Sequence, residues 1–315
     1  MTQPIPIFFS INDAYAPFLS VAMTSIIAHA DPQRQYDLIV LYEDLNAENR
    51  ERLGQLATTN VSIRFVTVSD DLMKQLAGEH MKLRGATFTL TIYYRLFIAA
   101  MFPQYDQAIY LDADVVTTTD LAALFQTDLG DHLVGAVQDT FAADHPQSVQ
   151  YVTQHLQLPI TDYFNSGVMV LNLKQMRAEK FNETFTHLLT TYHAEFIAPD
   201  QDYLNILCRD RVTHLDRAWN VMPTQQNRVT APKLIHYSLF GKPWHYADAQ
   251  NGQYFWDIAP QSPYFAEIKA IQRAFTAADR AKDQATETGL LATLHAFSAK
   301  NSDDIQQIRR ELISD

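Results

Sequence analysis

The sequence predicts an α/β fold with a mostly parallel central sheet flanked by helices and followed by a helical C-terminal extension. Three observations lead there. Short apolar runs alternate with amphipathic segments through most of the chain. Several of those runs stop abruptly on polar residues. Beyond Pro263 the apolar positions narrow to single stripes at helical spacing.

Taken in order, Ile5–Ile11 reads as a first strand, and Pro17 suits the first turn of a helix running to His29. Tyr36–Tyr42 (YDLIVLY) is a second strand. Asn46 caps the next helix, with Glu48 and Asn49 in its first turn. Val61–Val68 is a third strand, and Thr89–Met101 is a helix ended by Pro103. Ala108–Leu111, Leu133–Val137 and Val168–Leu173 are further strands, and Pro199-Asp200 starts another helix. A sheet of this kind takes ligands beyond the carboxyl ends of its strands, where Asn12-Asp13 and Asp112–Asp114 fall. Walker A and GxGxxG loops do not occur. The main domain is expected over residues 1–262 and the extension over 263–315. The extension's stripes are Ile268, Ile271 and Phe275; Leu290, Leu294 and Phe297; and Ile305, Ile308 and Leu312. They suit packing on the core or on a partner, a second copy included; a peripheral membrane contact fits less well, because the polar faces mix both charges.

Composition narrows the partners. The 315 residues are 47% hydrophobic and 19% charged, which suits a large core. A net charge of −12 argues against nucleic acid, so an anionic ligand needs local Lys, Arg or a metal. Cys208 is alone, which excludes an intramolecular disulfide and a Cys-rich zinc site. Neither Lys nor Arg precedes Arg34, and Asn12, Asp13 and Pro17 interrupt the first apolar run, so a cytoplasmic location is expected.

The stretch AIYLDADVV carries the chemistry. Residues two apart in an extended chain face the same way, so Asp112 and Asp114 converge just past a strand. Close carboxylates repel unless a cation joins them or one is protonated. Hard oxygen ligands suit Mg²⁺ or Mn²⁺, which can hold a diphosphate. Two solvated aspartates in a turn are the bland alternative. Haloacid-dehalogenase-like phosphatases also carry such a motif, but the downstream acidic motif of that family has no match here: Gly130-Asp131 runs on into HLVG.

The chain resembles the family 8 retaining glycosyltransferases. The resemblance covers roughly residues 5 to 250 and rests on six segments in order: FFSINDAYAPFLSVAMTSI, IYYRLFIAAMFPQYDQAIYLDADVV, FNSGVMVLNL, DQDYLNIL, WNVMP and HYSLFGKPWH. It implies the GT-A fold, a UDP-sugar donor, and Mn²⁺ or Mg²⁺ held by Asp112, Asp114 and His236. Such a metal would bind more weakly in acid, because the histidine must be neutral. Ser10, Asn12 and Tyr15 match nucleotide contacts, with Asn12 standing where the family often has Asp. Ala113 lies in the donor-contacting segment. Lys242 matches a diphosphate contact, and Arg95 a contact near sugar and phosphate. Asn165 and Ser166, read as preceding a strand, face the sugar and the reaction centre. Asp200 binds sugar hydroxyls, Gln201 lies beneath the anomeric carbon, and Asp139 makes a sugar or acceptor contact.

The implied reaction moves glucose or galactose to a hydroxyl of a glycan, glycolipid or glycoprotein, with retention. A non-catalytic sugar-nucleotide binder is the alternative of another class. One departure bears on it: Leu239 stands at the glycine of the family's H-x-x-G-x-x-KPW tail, and Gly241 follows two residues later.

Overall fold

The computed structural model describes residues 3–68, 93–192, 194–224, 228–298, 300 and 303–314. Its strands are β1 (Ile5–Ile11), β2 (Tyr36–Tyr42), β3 (Val61–Thr67), β4 (Ala108–Leu111), β5 (Val115–Thr117), β6 (Val134–Gln138), β7 (Phe164–Leu171), β8 (Val212–His214) and β9 (Leu234–His236). Seven form one sheet in the order β3-β2-β1-β4-β7-β6-β8, and β5 and β9 form a separate ribbon. Within the seven-stranded sheet pairing is parallel except at β7, which runs antiparallel to both β4 and β6, and the β5–β9 ribbon is antiparallel.

Both faces of the sheet are buried, and the two-residue period of the strands divides the core accordingly. Ile7, Phe9, Leu38 and Val40 pack on one face, while Phe8, Ile39 and Leu41 pack on the other. The helix Ala16–His29 has Pro17 in its first turn, and Asn46 Oδ1 caps Ala47–Gly54 by accepting from Asn49 N. Of the helix expected from Thr89, the described part is Tyr94–Met101; residues 89–92 lie outside the described residues.

The expected strand Val168–Leu173 is corrected at both ends. Asn165 and Ser166 do not precede it but lie inside β7, which begins at Phe164. Asn172 leaves the strand to cap Leu173–Ala178, accepting from Gln175 N. The polar start of β7 stays in the sheet because Asn205 acts as a substitute neighbour. Its Oδ1 accepts from Phe164 N at 2.8 Å, and its Nδ2 donates to Phe164 O at 2.9 Å.

The tail stripes pack against the core on both sides of the sheet. Ile268 on Phe265–Ala274 joins the β1/β2 face that holds Phe9. Leu294 on Ala277–Ser298, with Ile305 and Ile308 on Asp303–Ser314, joins the face that holds Phe8. Burial of such a side chain contributes roughly 1.5–3 kcal/mol, so these three residues hold the last two helices firmly. Among the described residues, no helix is long and apolar enough to cross a membrane.

The strand order reverses direction at β1. Connections from β1 proceed outward through β2 and β3, and β4 lies on its other side. The cleft beyond the carboxyl ends of β1 and β4 is therefore a topological switch point, the usual ligand crevice of such sheets. Asn12 and Asp112 are the first residues past those two strands.

Candidate active site

Backbone pairing explains why the acidic pair meets a histidine more than a hundred residues away. Buried β4 ends at Leu111, and Asp112 N donates to Gly167 O of β7 at 2.8 Å. The chain then turns into β5, which pairs antiparallel with β9 so that Val115 faces His236. Tyr237 N closes the ribbon onto Asp114 O at 2.9 Å. Asp112 is thus tied to the main sheet and Asp114 to the ribbon, with His236 at the end of the ribbon's second strand.

His236 Nε2 lies 3.3 Å from Asp114 Oδ1 and 3.7 Å from Asp112 Oδ2. Asp112 is half-buried; its Oδ1 receives the Tyr110 hydroxyl at 3.1 Å and Arg95 Nη2 at 3.0 Å. Arg95 also contacts Asp200 Oδ2 through Nε at 3.3 Å, donates to Ser166 O and Oγ, and lies over the Tyr110 ring. Lys242 donates to Asp114 Oδ2 and to the Tyr237 carbonyl. Burial alone would raise the Asp114 carboxyl, but the Lys242 and His236 charges outweigh it and hold Asp114 well below the usual carboxylate range. Burial would lower the Lys242 ammonium, and Asp114 reverses that, so it holds its proton more tightly than a free lysine. Asp200 is shifted upward by burial and by the Asp112 charge, against the pull of Arg95.

The proton positions around His236 follow from one backbone amide. Gly167 N can only donate, and it donates to Asn165 Oδ1 at 3.0 Å. Asn220 must then present its NH₂ to the same oxygen, at 3.0 Å, which turns Asn220 Oδ1 toward His236 Nδ1 at 3.1 Å. His236 therefore donates from Nδ1, which leaves Nε2 as the atom turned to the two carboxylates and the one that would hold a metal. Removing this support with Asn220→Leu is expected to weaken Mn²⁺ binding about 10–100-fold, read by calorimetric titration of Mn²⁺.

This set fits a divalent metal ion. Asp112, Asp114 and His236 each offer one ligand atom, and all lie within 4.8 Å of one another. The hard carboxylates with one imidazole match Mn²⁺ or Mg²⁺. Gly167 floors the site: a Cβ there would collide with His236 Cε1 and stand 2.6 Å from Asp112 Oδ2.

The nucleotide-side residues gather on the same cleft. Ser10 is near the end of β1 and Asn12 directly follows it; Asn12 Oδ1 is buried without a hydrogen-bond partner among the described residues. An acceptor atom left open at a ligand crevice fits the N–H edge of a base. The Tyr15 ring is 38% exposed, within electrostatic reach of Lys242, Asp114 and Asp112, and meets Phe18 edge-on at 5.7 Å. Phe18 stacks on Trp244 at 3.9 Å, joining this segment to the Lys242 loop. That loop is also braced by the tail: Phe275 stacks on His245 at 4.5 Å, and the Tyr246 hydroxyl donates to Asp283 at 2.9 Å.

Leu239 adopts φ 55°, the left-handed conformation that a glycine there would take readily, and is 50% exposed. The loop keeps the glycine-type backbone, with the side chain turned outward. Left-handed backbone costs a leucine about 1–2 kcal/mol, so Leu239→Gly is expected to leave stability unchanged or raise it by up to ~1 kcal/mol, measured as the urea midpoint. Gly241 is also left-handed, at φ 70°.

On the sugar side, Asn165, Ser166, Asp139, Asp200 and Gln201 form one network. Gln201 Oε1 accepts from Ser166 N at 3.0 Å, and its Nε2 donates to Asp139 Oδ2 at 3.0 Å. Asn165 Nδ2 donates to Asp139 Oδ2 at 3.1 Å. Both amides are held in one orientation. Asp139 also caps Thr140–Asp144, accepting from Ala142 N. Asp200 pairs with Arg95, while Asp202 accepts from Ile197 N and Ala198 N at the start of the same helix.

Sequence reasoning missed Gly167, Asn220 and Tyr110. Gly167 had a usable signal, since glycine inside a strand marks a close approach. Asn220, within WNVMP, had only its neighbours.

Comparison with known proteins gives one consistent result. The family model for Glycosyl transferase family 8 matches residues 6–248. The lipopolysaccharide 1,2-glucosyltransferase of Escherichia coli is 26% identical over 81% of this chain and 78% of its own length. General stress protein A of Bacillus subtilis is 24% identical, with coverage of 74% and 85%. Among solved structures, the bifunctional glycosyltransferase WbbM aligns with a TM-score of 0.73 and 28% identity, covering 87% of this chain and 52% of that one. The galactosyltransferase LgtC, solved with donor and acceptor sugar analogs, aligns at 0.68 with 27% identity, covering 82% and 96%. The chain therefore spans about half of WbbM, at 52%, and nearly all of LgtC, at 96%.

Proposed function

The chain belongs to glycosyl transferase family 8, and from that premise we propose that it is a retaining hexosyltransferase moving glucose or galactose from a UDP-sugar to a hydroxyl on a glycan, glycolipid or glycoprotein. The observation that carries this reading is the convergence of Asp112, Asp114 and His236 at the switch point, with Lys242 on Asp114. Asp112, Asp114 and His236 would hold Mn²⁺ or Mg²⁺. Such an ion supplies Lewis-acid stabilisation of a departing diphosphate.

The chain's own residues do the remaining work. Asn12 accepts from the base edge, Tyr15 packs against the nucleotide, and Ser10 and Ala113 line its path. Lys242 and Arg95 meet the negative charge that grows on the leaving group, an electrostatic contribution that is commonly the largest single one. Asp200 receives sugar hydroxyls, and Asn165, Ser166 and Asp139 shape the pocket around the ring. The Gln201 amide lies beneath the anomeric carbon, held by Ser166 N and Asp139. An amide is a poor nucleophile, so the acceptor oxygen attacks the anomeric carbon from the face the phosphate leaves. The carbon–oxygen bond to phosphate breaks as the new glycosidic bond forms, and the leaving phosphate takes the acceptor's proton. Retention follows, through an oxocarbenium-like state.

Leu239 does not favour the non-catalytic reading, because its backbone keeps the left-handed path. The single buried thiol of Cys208 fits a reducing, cytoplasmic setting. The test is incubation with UDP-glucose and UDP-galactose in Mn²⁺, following UDP release and the anomeric proton of the product by NMR. Release of UDP with an α-linked product is expected. Inverted product, or equal UDP release after chelation, would overturn the mechanism.

A further inference from the structure

A second cavity adjoins this site, of about 380 Å³, within the range of small-molecule pockets. Among the described residues, its walls include Thr140, Arg217, Asn220, Arg228 and Asp248. Asn220 belongs to both places: it lines the cavity and holds His236 Nδ1. Thr140 directly follows Asp139, and its hydroxyl is buried without a hydrogen-bond partner among the described residues. A buried hydroxyl of this kind at a cavity wall is available to a ligand.

The charge of the cavity is the telling feature. Neither the Arg217 nor the Arg228 guanidinium has an ion pair or side-chain hydrogen bond among the described residues. The acidic groups nearby are engaged elsewhere. Asp248 pairs with Arg280 at 3.1 Å, and Asp144 accepts from the Thr224 hydroxyl at 2.6 Å. In a protein of net charge −12, two guanidinia with no ionic partner among the described residues thus line one polar cavity beside the reaction centre. Guanidinia bind phosphate and carboxylate through paired N–H donors.

We propose that this cavity is the acceptor side of the reaction and that the acceptor is anionic there, with a phosphate or carboxylate seated on Arg217 and Arg228 and a hydrogen bond to Thr140. The inference rests on the transferase reading and names its acceptor class. The anion belongs either to a glycan or to a lipid headgroup, and the test has an arm for each.

The full chain, with Mn²⁺ and UDP present, is titrated calorimetrically with glucose 6-phosphate, glucuronic acid and glucose. Sedimentation is measured with phosphatidylcholine vesicles containing or lacking phosphatidic acid. At least one anionic probe is expected to bind about tenfold or more tightly than its neutral counterpart. In Arg217→Gln/Arg228→Gln that preference should disappear, and Arg217→Lys/Arg228→Lys should restore part of it, because charge returns without the paired donors. Preference for the soluble anions assigns a glycan, and preference for phosphatidic acid assigns a lipid phosphate. No preference for any anionic probe, or a preference undiminished in the glutamine variant, overturns the proposal. Failure of UDP to bind in Mn²⁺ would defeat the donor reading by itself, while arginine-dependent anion binding measured without UDP would survive it.

Discussion

Alanine at position 167 is expected to abolish divalent-metal binding while leaving the fold in place. Gly167 sits inside buried β7, where its carbonyl takes Asp112 N and its amide donates to Asn165. Its φ is not in the left-handed region, so alanine meets no conformational barrier. The effect is steric and local. The added Cβ collides with His236 Cε1, stands 2.6 Å from Asp112 Oδ2 and 3.0 Å from His236 Nε2. Neither neighbour can withdraw easily. His236 is 1% exposed, registered by the β5–β9 ribbon and by Asn220. Asp112 is held by Arg95 and Tyr110. The methyl therefore separates two of the three metal ligands. Overpacking of this kind costs about 1–3 kcal/mol of stability. Loss of Mn²⁺ affinity should be at least ~100-fold, since even an indirect disturbance of a ligand costs 10–100-fold. Mn²⁺ titration by electron paramagnetic resonance, beside a thermal melt, measures both. Affinity within a few-fold of the parent chain would show that the ion does not sit between Asp112 and His236.

The outline of this site could be read from the residues because its parts stand at strand ends. AIYL runs fully buried into Asp112, and Leu234-Ile235 runs buried into His236, so apolar runs mark where the polar ligands emerge. The long buried strands β1 and β2 matched their expected limits for the same reason. What could not be read was the support behind the ligands. Asn165 and Ser166 interrupt the apolar pattern of β7, so periodicity alone starts the strand after them. They stay in the sheet because Asn205 and Gln201 satisfy the backbone of Phe164 and Ser166 from a helix some forty residues on. Asn220 fixes the tautomer of His236 through hydrogen bonds to two residues that are distant in sequence. Periodicity carries no information about such partners. It did identify the tail's stripes, but not that the tail would reach both faces of the sheet and brace the loop bearing Lys242.

Asp114→Asn is expected to lower kcat/KM by at least ~10³-fold and also to destabilise the protein, and the two effects have separate origins. The catalytic loss comes from removing one anionic metal ligand, and Lewis-acid stabilisation is worth several kcal/mol, each 1.36 of which is tenfold in rate. The stability loss comes from Lys242. Its side chain is 12% exposed against 9% for Asp114, so the substitution leaves a buried ammonium with only the Tyr237 carbonyl among the partners described above. Breaking a buried pair from one side costs about 3–5 kcal/mol. Asp112→Asn supplies the comparison. Asp112 is more open, at 29%, and its partner Arg95 retains Asp200, so this variant should lose activity to a similar degree but less stability. Denaturant midpoints and UDP release, measured on both variants, separate the roles. If Asp114→Asn unfolds more easily yet turns over UDP-sugar at an undiminished rate at 25 °C, the aspartate is only an anchor for Lys242, and the metal assignment at this position falls. If both variants lose turnover while only Asp114→Asn loses stability, Asp114 has two functions: it binds the ion, and it neutralises the lysine that meets the departing diphosphate.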